Sequence, residues 1–260
     1  VIIRCNPLTA LRFAAMGMCQ QGGKKAKFLS VDLDGLDDQL YGTPLADFGA
    51  GNDWPAGAFT TAWWFKSADG ASRYLAGFLG VGFSLRVFSG TGGGPVFRPI
   101  LGGWGAGDVM DMGELPRSGV DWDLLGLTYD GAGTWKAWIN GVDTQTRVYA
   151  HPGMAVENIA LGAHPAYGGN VACRIARFGV WDVALGAPDF ANFVARPRKV
   201  DWAAMPSCLL DYWPGNTPGD STAAGGYVFN RADANTGRSP AMTRLEAQNM
   251  AADDLVEDHP

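Results

Sequence analysis

The chain has 260 residues, is 47% hydrophobic, carries 37 glycines and 15 prolines, and has a formal net charge of -6. The glycine and proline content argues against long helices and for many short strands joined by turns. Mild acidity with scattered basic residues argues against a nucleic-acid surface, and no apolar run reaches the roughly 20 residues that span a bilayer, so a soluble chain is expected. Four cysteines (Cys5, Cys19, Cys173, Cys208) without a CxxC pair suit neither a zinc knuckle nor a disulfide scaffold.

Residues 1–23 read as an apolar arm closed by Gln20-Gln21-Gly22-Gly23. Pro7 and Arg12 interrupt it, so it does not read as a secretion signal, and synthesis in a cytosol is expected. The arm is expected to pack on the rest of the chain or on a neighbouring subunit. Leu29, Val31 and Leu33 then alternate with Ser30, Asp32 and Asp34, which is the pattern of a half-buried strand. The run 32–38, DLDGLDD, is an acidic turn. Asp34, Asp37 and Asp38 are weak calcium candidates there. The run lacks the twelve-residue spacing and terminal Glu of an EF-hand loop, so a solvated turn is the first expectation.

The stretch 59–66, FTTAWWFK, reads as a strand, and its adjacent Trp63 and Trp64 must face opposite sides. Two short strands are expected around 74–79 and 83–88. The TGGGP run at 91–95 does not continue into GK[ST] and is no phosphate-binding loop. Trp104 lies among glycines, ahead of Asp108, Asp111 and Glu114. Sugar hydrolysis needs two carboxylates facing one substrate. Spaced by three on a strand, neighbouring carboxylates point to opposite faces unless a bulge intervenes. No enzyme is expected.

The organising stretch is 120–142. Leu125, Leu127 and Tyr129 alternate with Leu124, Gly126 and Thr128, and Asp130-Gly131 turns the chain. The return strand 135–139 ends at Asn140-Gly141. Alternation punctuated by Asp-Gly and Asn-Gly is a strong hairpin signal. Trp135 and Ile139 are expected to build core. Strands follow near 159–161 and at 172–181. Residues 185–194 read as a short helix, with Pro188 in its first turn and Phe190 and Val194 on one face. Residues 209–213 read as a final strand. The stretch 214–241 is rich in turn formers, and 243–260 is an acidic tail that needs a partner to supply burial. His151, His164 and His259 have neither ligand spacing nor a G-x-S-x-G elbow beside them.

Three features in order carry a resemblance. They are Leu33-Asp34-Gly35-Leu36-Asp37-Asp38, the pair FTTAWWFK and LLGLTYDGAGTWKAWINGV, and IALGAHPAYGGNVACRIARFGVWDVAL followed by a Pro-initiated helical turn. Over residues 26–195 the chain resembles the laminin-G-like, concanavalin-A-like jelly roll. Its later part, LDYWP at 210–214 and the ending DLVEDHP at 254–260, is similar to laminin-G-like proteins of tailed bacteriophages. Asn230 to Gly237 departs from the usual Asp-x-Ser-Gly opening of that pattern, and Arg244 replaces a common Asn.

The resemblance implies an all-β, antiparallel two-sheet jelly-roll sandwich with one short helix. An arm at 1–23, a domain at 24–213 and a loop-rich extension at 214–260 are expected. It further implies a virion structural protein, a capsid decoration or fibre-like module assembled in the host cytoplasm and displayed on the virion surface. Its partners would be the major capsid protein or other virion subunits, reached through the terminal extensions. A homo-oligomer is expected, with a trimer suggested by analogy, and no cofactor, nucleic acid or membrane. The alternative is a lectin-like module for a host-surface glycan. Aromatic rings stack on the apolar faces of sugars, so Trp64, Trp104, Trp135 and Trp138 are its candidates.

Overall fold

The computed structural model describes residues 28–42, 57–67, 71–80, 83–90, 94–103, 107–150, 156–164, 166, 168–205, 207–214, 220–223, 226–232, 244–251 and 254–260. The arm at 1–23, Trp104 and His151 lie outside these residues. In chain order the early strands are β1 (Ser30–Asp34), β2 (Gln39–Gly42), β3 (Phe59–Lys66), β4 (Tyr74–Gly80), β5 (Phe83–Gly90), β6 (Pro95–Gly103), β7 (Gly107–Asp111) and β8 (Leu115–Pro116). Next come β9 (Asp123–Tyr129), β10 (Thr134–Ile139), β11 (Val142–Val148), β12 (Val156–Leu161) and β13 (Ala172–Trp181). Helix α1 (Ala187–Ala195) is followed by β14 (Cys208–Tyr212), β15 (Tyr227–Phe229), β16 (Arg244–Gln248) and β17 (Leu255–Val256).

These strands form two antiparallel sheets. The first runs β11-β10-β9-β3-β13-β1-β17, with β14 also on β13. The second runs β15-β16-β2-β12-β4-β5-β6-β7, with β8 on β6. The architecture is the expected jelly-roll sandwich. Alternation decides which side chains meet between the sheets. Trp63 from β3 packs against Phe78, Phe97 and Phe178, with ring centroids 6.2, 6.1 and 5.7 Å away. Trp135 and Ile139 join this core, as the hairpin pattern predicts.

The next residue along β3, Trp64, points the other way and enters a second apolar cluster on the outer face of the first sheet. That cluster adds a third layer. Leu185, Phe190, Phe193, Trp202 and Ala203 cover Trp64, Leu124, Trp138 and Ala176. Pro188 sits in the first turn of α1, and Asp189 accepts the Gly186 backbone N–H at 3.0 Å. Phe190 and Phe193 are the buried helix residues, whereas the sequence pattern paired Phe190 with Val194. Phe190 stacks on Trp138 with centroids 4.7 Å apart. Gly126 permits that approach, because a Cβ there would collide with the Phe190 ring.

The tail is a correction to the sequence reading. Residues expected to form a loop-rich extension supply β15 and β16 of the second sheet and β17 of the first. Glu246, Ala247 and Gln248 pair with Tyr41, Leu40 and Gln39, so this segment finds its burial inside the sandwich. On the outer side of the first sheet lies a buried polar knot. Arg177 and Asp211 are both fully buried and form two hydrogen bonds of 2.7 Å. The Arg177 guanidinium lies 4.2 and 4.3 Å from the rings of Trp202 and Trp213, and Arg231 takes up the Asp211 Oδ2 at 2.7 Å.

Candidate functional site

Along β10, Trp135, Ala137 and Ile139 face the core, so Thr134, Lys136 and Trp138 face outward. The loop entering α1 rises beside them. Between the two lies a cleft of about 660 Å³. Thr128, Asp130, Thr134, Lys136, Trp138 and Asp143 supply its polar and aromatic lining, and Leu185 and its neighbours close the helix side.

The polar groups are held in place by short contacts. Asp130 Oδ1 accepts the backbone N–H groups of Ala132 and Thr134 at 2.7 and 2.8 Å. Hydrogen bonds from Thr134, first through its side chain, pull the Asp130 carboxyl down to about 2. Lys136 Nζ lies 2.7 Å from Asp143 Oδ2 and 5.8 Å from the centroid of the Trp138 ring. Trp138 Nε1 donates to Thr128 Oγ1 at 3.1 Å. An apolar floor with a few fixed charged and hydroxyl groups suits a polyhydroxylated ligand. None of the described residues that line the cleft is a histidine, cysteine or serine.

The aromatic candidates fare differently. Trp138 lines the cleft, but Phe190 covers one of its faces and only 4% of it is exposed, so it presents an edge. Trp64 is also 4% exposed and is covered by the third layer. Trp135 is 0% exposed, edge-on to Phe59, with its Nε1 donating to the Tyr149 carbonyl at 2.9 Å. Neither Trp64 nor Trp135 offers a ring face to a sugar. Trp104 lies outside the described residues. Thr134, Lys136 and Asp143 went unremarked in the sequence, and Thr128 entered only as part of the alternation, although outward alternation along the hairpin could have found them. The helix-side wall had no such signal.

The acidic turn does draw its carboxylates together. Ligand oxygens of Asp34, Asp37 and Asp38 lie within 4.8 Å of one another, with Asp38 buried and the other two exposed. Burial, and then the charges of Asp34, Asp254 and Asp37, hold the Asp38 carboxyl above the usual range, against a backbone hydrogen bond from Asp34 that lowers it. Asp38 Oδ2 accepts that N–H at 3.0 Å, and Asp34 Oδ1 accepts the Leu36 N–H at 2.7 Å. The carboxylates of Asp34 and Asp38 thus serve the turn as hydrogen-bond acceptors, and a calcium ion would take 6–8 oxygens in all.

The other carboxylate group meets a bulge. The β6–β7 register shifts between Leu101 and Gly102, placing Asp108 opposite Gly102 and Asp111 opposite Ile100. Asp111 is committed elsewhere, to Arg98 at 2.6 and 3.2 Å and to the Gly113 N–H at 2.8 Å. The Arg98 hydrogen bonds hold its carboxyl below the usual range, the opposite of what a general acid requires.

No family model matches the chain, and no curated protein matches it. Solved structures do. A protein from Bacteroides ovatus proposed to bind carbohydrate superposes with a TM-score of 0.58 at 15% identity, over 90% of this chain and 63% of that one. The receptor-binding domain of botulinum neurotoxin D superposes with a TM-score of 0.54 at 12% identity, over 81% of this chain and 54% of that one. The chain thus spans less than two thirds of either structure. At these identities the likeness establishes the fold alone, that of a two-sheet jelly-roll sandwich.

Proposed function

We propose that the chain is a non-catalytic carbohydrate-binding module whose sugar site is the cleft between β10 and the loop entering α1. The observation that carries this reading is the cleft's lining. Ionised Asp130, the Lys136–Asp143 pair and two threonines surround the edge of Trp138. Hydroxyl groups of a sugar can accept from the ammonium and donate to the carboxylates, while Leu185 and the Trp138 edge meet its C–H face. The proposal agrees with the role suggested for the Bacteroides protein of the same fold.

Lys136 and Asp143 form an exposed pair, 42% and 31% accessible, so replacing either leaves the sandwich intact. Glycan-array screening followed by calorimetry is expected to find a ligand for the unaltered chain. Lys136→Ala and Asp143→Ala should each weaken it by about tenfold, or ~1.4 kcal/mol, with little change in melting temperature. A chain that binds no glycan at millimolar concentration, or variants that bind as tightly as the parent, would refute the assignment.

A second reading concerns setting. The LDYWP stretch at 210–214 and the ending at 254–260 support a module carried on a bacteriophage virion, held to the capsid or to other virion subunits and displayed as an oligomer. β15, β16 and β17 belong to the two sheets, and the attachment element we assign is residues 1–23. Mass spectrometry of purified particles should find the chain in fixed stoichiometry, and deletion of 1–23 should remove it. Particles without the chain, or full incorporation of the deletion variant, would count against this setting.

A further inference from the structure

Segment 254–260 crosses the outer side of the first sheet with little backbone support. The Asp254 carbonyl accepts from the Asp32 N–H at 2.7 Å, and β17 pairs with β1 only through Ser30–Val256 and Val31–Leu255. Beyond β17 the hold passes to side chains and the Arg198 clamp. Asp258 receives Lys66 at 2.9 Å, Arg174 at 2.6 Å and the Trp122 indole at 3.1 Å. Arg198 donates to the carbonyls of His259 and Pro260, both at 2.9 Å. The His259 ring lies among Phe28, Trp122 and Trp213, with centroids 5.5, 6.4 and 5.5 Å away.

One contact fixes the protonation state of that ring. Trp213 Nε1 is a donor only, and it lies 3.0 Å from His259 Nε2. Nε2 therefore accepts, and the ring's single proton sits on Nδ1, 3.1 Å from the Pro260 carbonyl. A second proton would set donor against donor at the indole and place a positive charge in a cage only 8% exposed. The charged groups around the ring do not welcome it. Arg198 follows α1 and Arg177 lies on β13, both positive, and Asp258 is already taken up by Lys66 and Arg174. Behind Trp213, Arg231 and Asp211 are bonded to each other.

We propose that segment 254–260 is a strap released by acid. Protonation expels the His259 imidazole from its aromatic cage and frees β17 from β1, while the sandwich beneath stays folded. The sign follows from linkage. Burial, then the positive charges of Arg198 and Arg177, lower the ring from 6.5 to about 4 despite its hydrogen bond to Pro260. An opened strap restores the ordinary value. The closed state is therefore fully favoured above pH 6.5 and loses ground as pH falls toward 4.

Hydrogen exchange of the whole chain, corrected for intrinsic rates, tests this between pH 7 and pH 4. The probe variant is His259→Gln, whose side-chain carbonyl can accept the Trp213 indole without titrating. In the parent, protection of 254–260 and of the β1 edge should fall by about tenfold per pH unit below the ordinary histidine value, as for one proton taken up. Amides of β3 and β9 should stay protected, and the variant should show no such slope. Equal slopes in parent and variant, or loss of strap and β3 protection together, would overturn the proposal. A second readout needs no variant. The His259 resonance should titrate well below 6.5 in the parent, and titration at the ordinary value with the strap still protected would also overturn it.

Discussion

Arg177 shows how much a single polar residue can carry. Its guanidinium is wholly buried, stacked between two tryptophans and bonded to an equally buried carboxylate. Removing one member of such a pair strands the other charge in a poor solvent, which costs about 3–5 kcal/mol. Asp211→Ala should lower the urea midpoint accordingly, and loss of less than ~1 kcal/mol would mean that water reaches the site. Some single-residue facts are legible in the sequence. The opposition of Trp63 and Trp64 follows from alternation alone, and the convergence of Asp34, Asp37 and Asp38 follows from a tight turn. The partnership of Arg177 with Asp211 is not legible, because 34 positions separate them and neither sits in a local motif. The burial of Trp64 is hidden for the same reason, since its cover comes from a segment more than a hundred residues later.

At the scale of elements, α1 is a lid on the outer face of the first sheet. Its apolar contribution rests on Phe190 and Phe193. Phe190→Ala removes the ring stacked on Trp138 and leaves a cavity against Gly126, at a cost of about 3–5 kcal/mol. It should also shift tryptophan emission to the red and weaken the proposed glycan site, because the cleft's helix-side wall moves with the helix. Unchanged fluorescence would show that the lid is dispensable. The edge strand β11 makes the opposite case. It is exposed along most of its length, with Val142 61% and Val148 84% accessible, yet it has no partner strand beyond β10 among the described residues. The bulge at Ala137/Trp138 and the charges of Asp143 and Arg147 are the devices that keep such an edge from templating another chain. Hairpin turns and long alternating strands were readable because their signals are local. The strands β2, β6, β7 and β11 were missed. They are short, glycine-rich or polar on both faces, and only their neighbours make them strands.

For the molecule as a whole, the sandwich was legible from turn chemistry and from the order of three motifs, whereas its closure was not. The acidic tail has the composition of a solvated extension, and its order comes from pairing with strands far away in sequence. One feature of the topology bears on how the protein is made. β1 sits between β13 and β17, and β2 between β12 and β16, so the earliest strands are sandwiched by much later ones. Asp32 and Arg174 alone are 142 positions apart. At ~5–20 residues per second a ribosome needs on the order of 10 s to deliver the first partner of β1, and more for the second. Throughout that interval Val31, Leu33 and Leu40 have no sheet to join. Non-local pairing of this kind folds slowly and exposes strand edges meanwhile. Truncation before β16 therefore strikes the nascent chain harder than its few residues suggest, for it leaves β2 without one flank and hands an unfinished edge to the chaperones.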